Sequence, residues 1–256
     1  MVSSEEEFNL SLESFRSLTK TTYFPVTQEE DGGLTVSKFA GVPWLAHGEA
    51  WPRCGNCAGL LQFFFQLNLA MVPREAKANF GDSGLLQLFY CLECFDPLPF
   101  ANTRLVRLVH PDGINTPDAE ASGPDSTEAY PARTISAWEP LEEFPEFAEF
   151  GNNPEVILTD SQRAAWGQLR NDYGELEDPW YGLWPHPELG DKLGGWPHWM
   201  QLAEYYACPR CRKQMQVVFQ LDSQGNLPVL FGDSGCSYII QCPVHREQLG
   251  YFWNCL

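Results

Sequence analysis

The sequence predicts an α+β chain, mainly antiparallel β, made of two similar lobes from an internal duplication, each with a zinc-ribbon-like hairpin, plus a few helices. Three observations predict it. First, one stretch occurs twice: at a shift of 154, Lys38, Gly41, Pro43, Cys54, Cys57, Gln62, Phe65, Gln66 and Leu67 fall on Lys192, Gly195, Pro197, Cys208, Cys211, Gln216, Phe219, Gln220 and Leu221. At a shift of 151, Phe80-Gly81-Asp82-Ser83-Gly84 falls on Phe231-Gly232-Asp233-Ser234-Gly235, Cys91 on Cys242, and Cys94 on His245. Agreement at fixed offsets is the mark of a repeat. Second, each copy reads as two strands joined through Gly-rich turn chemistry. Third, a Cys-x-x-Cys pair precedes the first strand of each copy, and a second ligand pair follows the other strand. If the strands pair antiparallel, both ligand pairs meet at one end of the hairpin.

Taken in order, Ser4 with Glu7 forms a capping-box pattern, and Phe8, Leu12, Phe15 and Leu18 recur at helical spacing, so a helix is expected over Glu5 to Lys20. Asp31-Gly32-Gly33 signals a turn and Leu34 to Val36 a short strand. Leu60 to Leu69 interleaves Gln62, Gln66 and Asn68 with Phe and Leu, a half-buried strand; Leu85 to Tyr90 is its partner, and Leu105 to Val109 a further strand. Pro111 to Ala132 is dense in turn formers and acids and reads as a loop. Glu139 to Phe150 spaces Phe144, Phe147 and Phe150 every third residue, as a short helix or an irregular docking strip. Asp160 to Tyr173 reads as a helix stopped by Gly174. In the second copy the strands are Gln214 to Asp222 and Cys236 to Gln241, and Gly250 to Leu256 is a final strand. The expected organisation is an N-terminal lobe at 1–110 with the first zinc site, an acidic loop or linker at 111–160, and a C-terminal lobe at 161–256 with the second site.

The net charge is −18, and Asp112 to Asp160 holds 12 carboxylates against the single base Arg133. Such a surface repels phosphate and anionic lipid, which argues against direct nucleic-acid or membrane binding and makes a basic protein or peptide the complementary partner. No apolar run reaches the length of a membrane helix, and the start of the chain has no basic and apolar leader pattern. A cytoplasmic, monomeric protein is expected.

Cys54, Cys57, Cys91 and Cys94 have the ligand spacing of a zinc ribbon, and Cys208, Cys211, Cys242 and His245 repeat it. The exchange of the last Cys for His favours metal over disulfide, because imidazole ligates zinc but forms no sulfur bridge. Two structural zinc ions are therefore expected, with disulfides, lapsed sites or a reactive redox pair as the alternatives. Cys236 and Cys255 fall outside the pattern and read as buried apolar residues. His47, His110, His186 and His198 show no metal spacing, Asp82 and Asp233 read as turn formers, and Ser83 and Ser234 have no nucleophile elbow around them. No catalytic residue is expected.

Lys192-Leu-Gly-Gly-Trp-Pro-His-Trp-Met-Gln201, Phe231-Gly-Asp-Ser-Gly235, the Gln62 to Leu69 strand and Trp138-Glu-Pro140 resemble the YwqG-like family. The Cys-x-x-Cys pair before a strand also looks like programmed cell death protein 2 and its ribosome-assembly relatives, dedicated chaperones of a basic ribosomal protein. The resemblance implies a duplicated, mainly antiparallel β fold that binds protein. The functional expectation is a non-enzymatic, zinc-binding, chaperone-like module for a basic polypeptide, with Trp138, Phe144, Phe147, Trp180 and Trp184 as anchoring aromatics. The alternative is an enzyme of unknown reaction with its site in the groove between the lobes.

Overall fold

The computed structural model describes residues 5–111, 123–124, 130–172 and 184–255. They form helices α1 (Glu5–Glu13), α2 (Arg74–Phe80) and α3 (Asp160–Asp172), with strands β1 (Lys20–Gln28), β2 (Lys38–Phe39), β3 (Gln62–Asn68), β4 (Leu85–Tyr90) and β5 (Arg104–Val109). The later strands are β6 (Arg133–Glu143), β7 (Lys192–Gly194), β8 (Gln216–Asp222), β9 (Cys236–Gln241) and β10 (Leu249–Asn254). All ten strands join one sheet in the order β10-β9-β8-β7-β1-β6-β2-β3-β4-β5, and every neighbouring pair is antiparallel. The two edges curl toward each other: Tyr251 N–H donates to Pro99 O at 3.1 Å, and the Arg104 guanidinium donates to Tyr251 O. The result is a nearly closed barrel with few helices.

The order reads the same from either end, with β1 and β6 at its centre. β1, which precedes the first repeated stretch, pairs with β7 of the second; β6, which precedes the second, pairs with β2 of the first. Along β1 and β6, Tyr23 faces Pro140 while Pro25 faces Trp138. The matching aromatic-x-Pro steps thus oppose each other. Outside this pair the registers also correspond. Lys38 faces Gln66 as Lys192 faces Gln220, and the β3–β4 ladder slips at Phe63/Phe65 where the β8–β9 ladder slips at Val217/Phe219.

The barrel interior is apolar and shared. Phe65 and Phe219 meet with ring centres 4.3 Å apart, and Phe39 stands 5.2 Å from Phe65 and 6.1 Å from Phe219. All three rings are fully buried, and each contributes about 2–3 kcal/mol of burial. β3 and β4 are buried along nearly their whole length because both faces are covered, which is why they read as Phe- and Leu-rich runs.

Several expectations change. α1 stops at Glu13: Ser14 Oγ donates to Ser11 O at 2.6 Å, a 3-10 turn follows at Arg16–Leu18, and Lys20 already belongs to β1. Leu34 to Val36 is no strand. The carbonyls of Leu34 and Val36 instead accept Gln66 Nε2, at 2.8 and 2.9 Å. Glu139 to Phe150 is the end of β6 followed by a 3-10 turn at Phe147–Glu149. Within 111–160, expected as a loop or linker, β6 is therefore a central strand, and most of Pro111 to Ala132 lies outside the described residues.

Polar side chains fix the loops over both barrel halves. Gln66 Oε1 accepts Trp44 N–H at 3.1 Å, and Gln220 Oε1 accepts His198 N–H at 2.9 Å. Lys38 Nζ donates to Asp31 and to Val42 O, while Lys192 Nζ donates to Glu143 at 2.7 Å. Ser37 Oγ accepts Asn68 N–H, and at the matching place Asp191 Oδ1 accepts Asp222 N–H, both at 2.9 Å. Burial pushes the Asp191 carboxyl up to about 6 from an ordinary 3.8, against the opposing N–H donors of Asn226 and Asp222. A raised carboxyl contributes stability that is fully present below about pH 4 and lost as pH rises through about 6, about 3 kcal/mol in all. Asp191→Asn is expected to remove that slope: urea unfolding at pH 4.5 and 7 should show the wild type losing more stability than the variant. Equal losses would contradict the assignment.

Candidate metal centres

Each tetrad stands at the end of a hairpin because its sequence builds a tight turn there. Arg53 bridges Leu60 and Ala207 bridges Gln214, closing the strand across the Cys-x-x-Cys loop. Inside it, Ala58 N–H returns to Cys54 O and Arg212 N–H to Cys208 O, both at 2.9 Å. This needs the left-handed conformation after the second Cys, so Ala58 and Arg212 sit at φ +61° and +63°. Non-glycine residues adopt it at a cost of order 1 kcal/mol, which the closed loop holds in place.

The structure brings all eight expected ligands together. In both sets, Cys54, Cys57, Cys91 and Cys94 and then Cys208, Cys211, Cys242 and His245, the donor atoms lie within 4.8 Å of one another. Cys54 and Cys94 Sγ are 3.7 Å apart, Cys57 and Cys91 3.6 Å, and Cys211 and Cys242 3.6 Å. A tetrahedron with Zn–S bonds of about 2.3 Å has S···S edges of about 3.8 Å, whereas a disulfide is about 2.05 Å. His245 Nδ1 is 3.8 Å from Cys242 Sγ and 4.0 Å from Cys208 Sγ, close to the edge of about 3.6 Å for mixed N and S ligands. The cysteines are free thiols, and the donor set fits a soft tetrahedral ion such as zinc.

The electrostatics are those of sites that want a cation. Burial raises the Cys54 thiol, but backbone N–H donation from Cys57 and Asn56 outweighs it and brings the group to about 7 from 9.0. At Cys208 burial is likewise outweighed, by the amides of Cys211 and Arg210, to about 6. Burial pushes Cys91 up to about 12. Without an ion, one thiolate per site suppresses ionisation of its neighbours; a divalent cation removes that conflict. With four protein donors each, neither site leaves a position for water or substrate.

Sequence reasoning missed some supporting groups. Asn56 Nδ2 donates to Cys94 Sγ at 3.2 Å, and the N–H groups of Val244 and His245 donate to Cys242 Sγ at 3.4 and 3.3 Å. An amide side chain inside the Cys-x-x-Cys loop was the available signal for the first. Cys236 is buried as expected, while Cys255 is half-buried.

The described anchoring aromatics and most of the nearby acids are spent inside. Trp184 is buried, Phe144 and Phe147 pack in one cluster with Phe15 and Phe150, Trp138 lies against the barrel core, and Trp180 is outside the described residues. Glu143 holds Lys192 and the Trp196 N–H, and Glu149 accepts Trp199 Nε1, Asn153 Nδ2 and Tyr205 Oη at 2.6–2.8 Å. Glu139 and Glu142 remain exposed on β6. His198 Nδ1 lies 2.9 Å from Pro187 O, and His186 packs edge-on against Phe147. Among the described residues no helix is long and apolar enough to cross a membrane.

A family model described as a domain of unknown function, DUF1963, matches residues 37–247. No curated protein matches the chain.

Proposed function

The chain belongs to the DUF1963 family, and from that premise we propose that it is a YwqG-like, duplicated, zinc-stapled protein that binds a basic polypeptide and catalyses nothing. Each repeat supplies one half of the barrel, and the strand before each repeat has been exchanged to the other half. The observation that carries the reading is the pair of closed four-donor tetrads, whose geometry supports zinc as a structural staple. Cys54, Cys57, Cys91 and Cys94 hold one ion; Cys208, Cys211, Cys242 and His245 hold the other. The ions supply cross-links between the ends of each hairpin and no reacting group. Free thiols at every ligand position fit the reducing environment of the cytoplasm.

The partner class rests on charge. A chain at −18 attracts a polycation, and zinc bound by four thiolates adds further negative charge instead of cancelling it. The exposed Glu139 and Glu142 follow, in sequence, an acidic stretch that precedes β6. A lysine-rich peptide is expected to bind at 0.1 M salt and to be released toward 1 M, as the Debye length shrinks from about 10 to 3 Å. Glu139→Gln with Glu142→Gln should slow association more than it speeds dissociation, read by stopped-flow fluorescence. No binding at low salt, or binding indifferent to salt, would remove the polycation reading.

A further inference from the structure

A cavity of about 400 Å³ opens between α2 and the second metal-site turn, over the start of β1 and the Gly194-Gly195 corner. It borders the second metal-site turn but includes none of the eight ligands of the two tetrads. Lys20 Nζ stands 3.3 Å over the centre of the Trp196 ring and has no carboxylate within 4 Å among the described residues. Glu75 and Glu155 also line the cavity, and neither makes an ion pair among the described residues. Their neighbours are already occupied. Glu149, behind Lys20, is saturated by Trp199, Asn153 and Tyr205, while Asn153 Oδ1 accepts both Glu155 N–H and Gln214 Nε2. The rest of the wall is mixed, with Tyr23, Phe80 and Met215 beside Thr21, Gln214 and Gln216.

One cavity therefore presents an ammonium that faces an indole ring, two carboxylates without an ion pair among the described residues, and a mixed wall. A purely anionic ligand would meet the two carboxylates, and a purely cationic one would meet Lys20. We infer that the cavity binds a small zwitterion, a free α-amino acid or dipeptide, its carboxylate on Lys20 and its ammonium on Glu75 and Glu155. About 400 Å³ is within the range of small-ligand pockets and suits a molecule of that size. Charge-assisted hydrogen bonds at both ends would set orientation. This site is independent of the polycation surface, since Glu139 and Glu142 take no part in it.

Isothermal titration calorimetry of the full metal-loaded chain tests it, with phenylalanine, leucine and leucyl-phenylalanine as probes against their N-acetylated and C-amidated forms. Saturable binding is expected for at least one free probe, weakened about tenfold or more by blocking either end. Lys20→Met should lose the penalty for amidation but keep that for acetylation, and Glu75→Gln with Glu155→Gln the reverse. All three positions are exposed, and the melting temperature of each variant confirms that it is folded. Glu142→Gln should bind the probes as the wild type does. The inference is overturned if no free probe binds, if blocked probes bind as well as free ones, or if the folded variants keep both penalties.

Discussion

Cys208→Ser is expected to unfold the β8–β9 end of the barrel and to lower stability by several kcal/mol, with loss of one of two bound zinc ions. Structural zinc contributes apparent binding free energies of about 10–16 kcal/mol at pH 7 in small zinc domains, and that energy is available only to the folded ligand set. Here the second tetrad is part of a packed cluster: Cys208 and Cys242 are buried with Trp199, Met215, Tyr238 and Phe252. Loss of the ion therefore leaves thiols without their counter-charge and releases the aromatic packing around them. Cys236→Ser is the control, because Cys236 is equally buried but outside the tetrad. It should cost about 1–3 kcal/mol and leave the metal content unchanged. Urea unfolding and metal analysis of the two variants separate ligation from burial; equal effects would mean that Cys208 is only a packing residue.

The second large effect is expected at Lys192 and Glu143, whose side chains are 0% and 1% exposed and 2.7 Å apart. Burial pulls the Lys192 pKa down and pushes the Glu143 pKa up, and their attraction opposes both shifts. Such a pair adds little over an apolar isostere, yet removing one partner strands a buried charge and costs about 3–5 kcal/mol. Lys192→Met should therefore destabilise by that amount, since Glu143 also loses the group that balances its bonds to the Glu188 and Trp196 amides. Lys38→Met should cost less, because Asp31 is 37% exposed and water can solvate it. Thermal unfolding of both variants checks the order. A larger loss at Lys38 would contradict it.

The hairpins were legible in the sequence because their residues do local work. β4 has its expected bounds and β9 likewise, since ligand pairs, turn residues and alternation all act within one hairpin. The tetrads were legible for the same reason, as Cys-x-x-Cys spacing specifies a loop. β1 and β6 were not. Each carries a proline, Pro25 or Pro140, which normally argues against a central strand. The structure tolerates them because β7 covers β1 only at Thr22 and Tyr23, and β2 covers β6 only at Arg133 and Thr134. At each proline the strand has a partner on one side alone, so a missing N–H costs little. The carboxylates of 139–149 misled for another reason: composition cannot distinguish the exposed Glu139 from the buried Glu149, which is saturated by three side-chain donors. Only tertiary position separates them.

Native mass spectrometry of the chain purified without chelator counts the two metal staples. Two zinc ions per chain are expected, falling to one in Cys57→Ser and to one in Cys208→Ser. Zero or one ion in the wild type under zinc-replete conditions, or sulfurs lost as disulfide-linked mass with no metal, would contradict it.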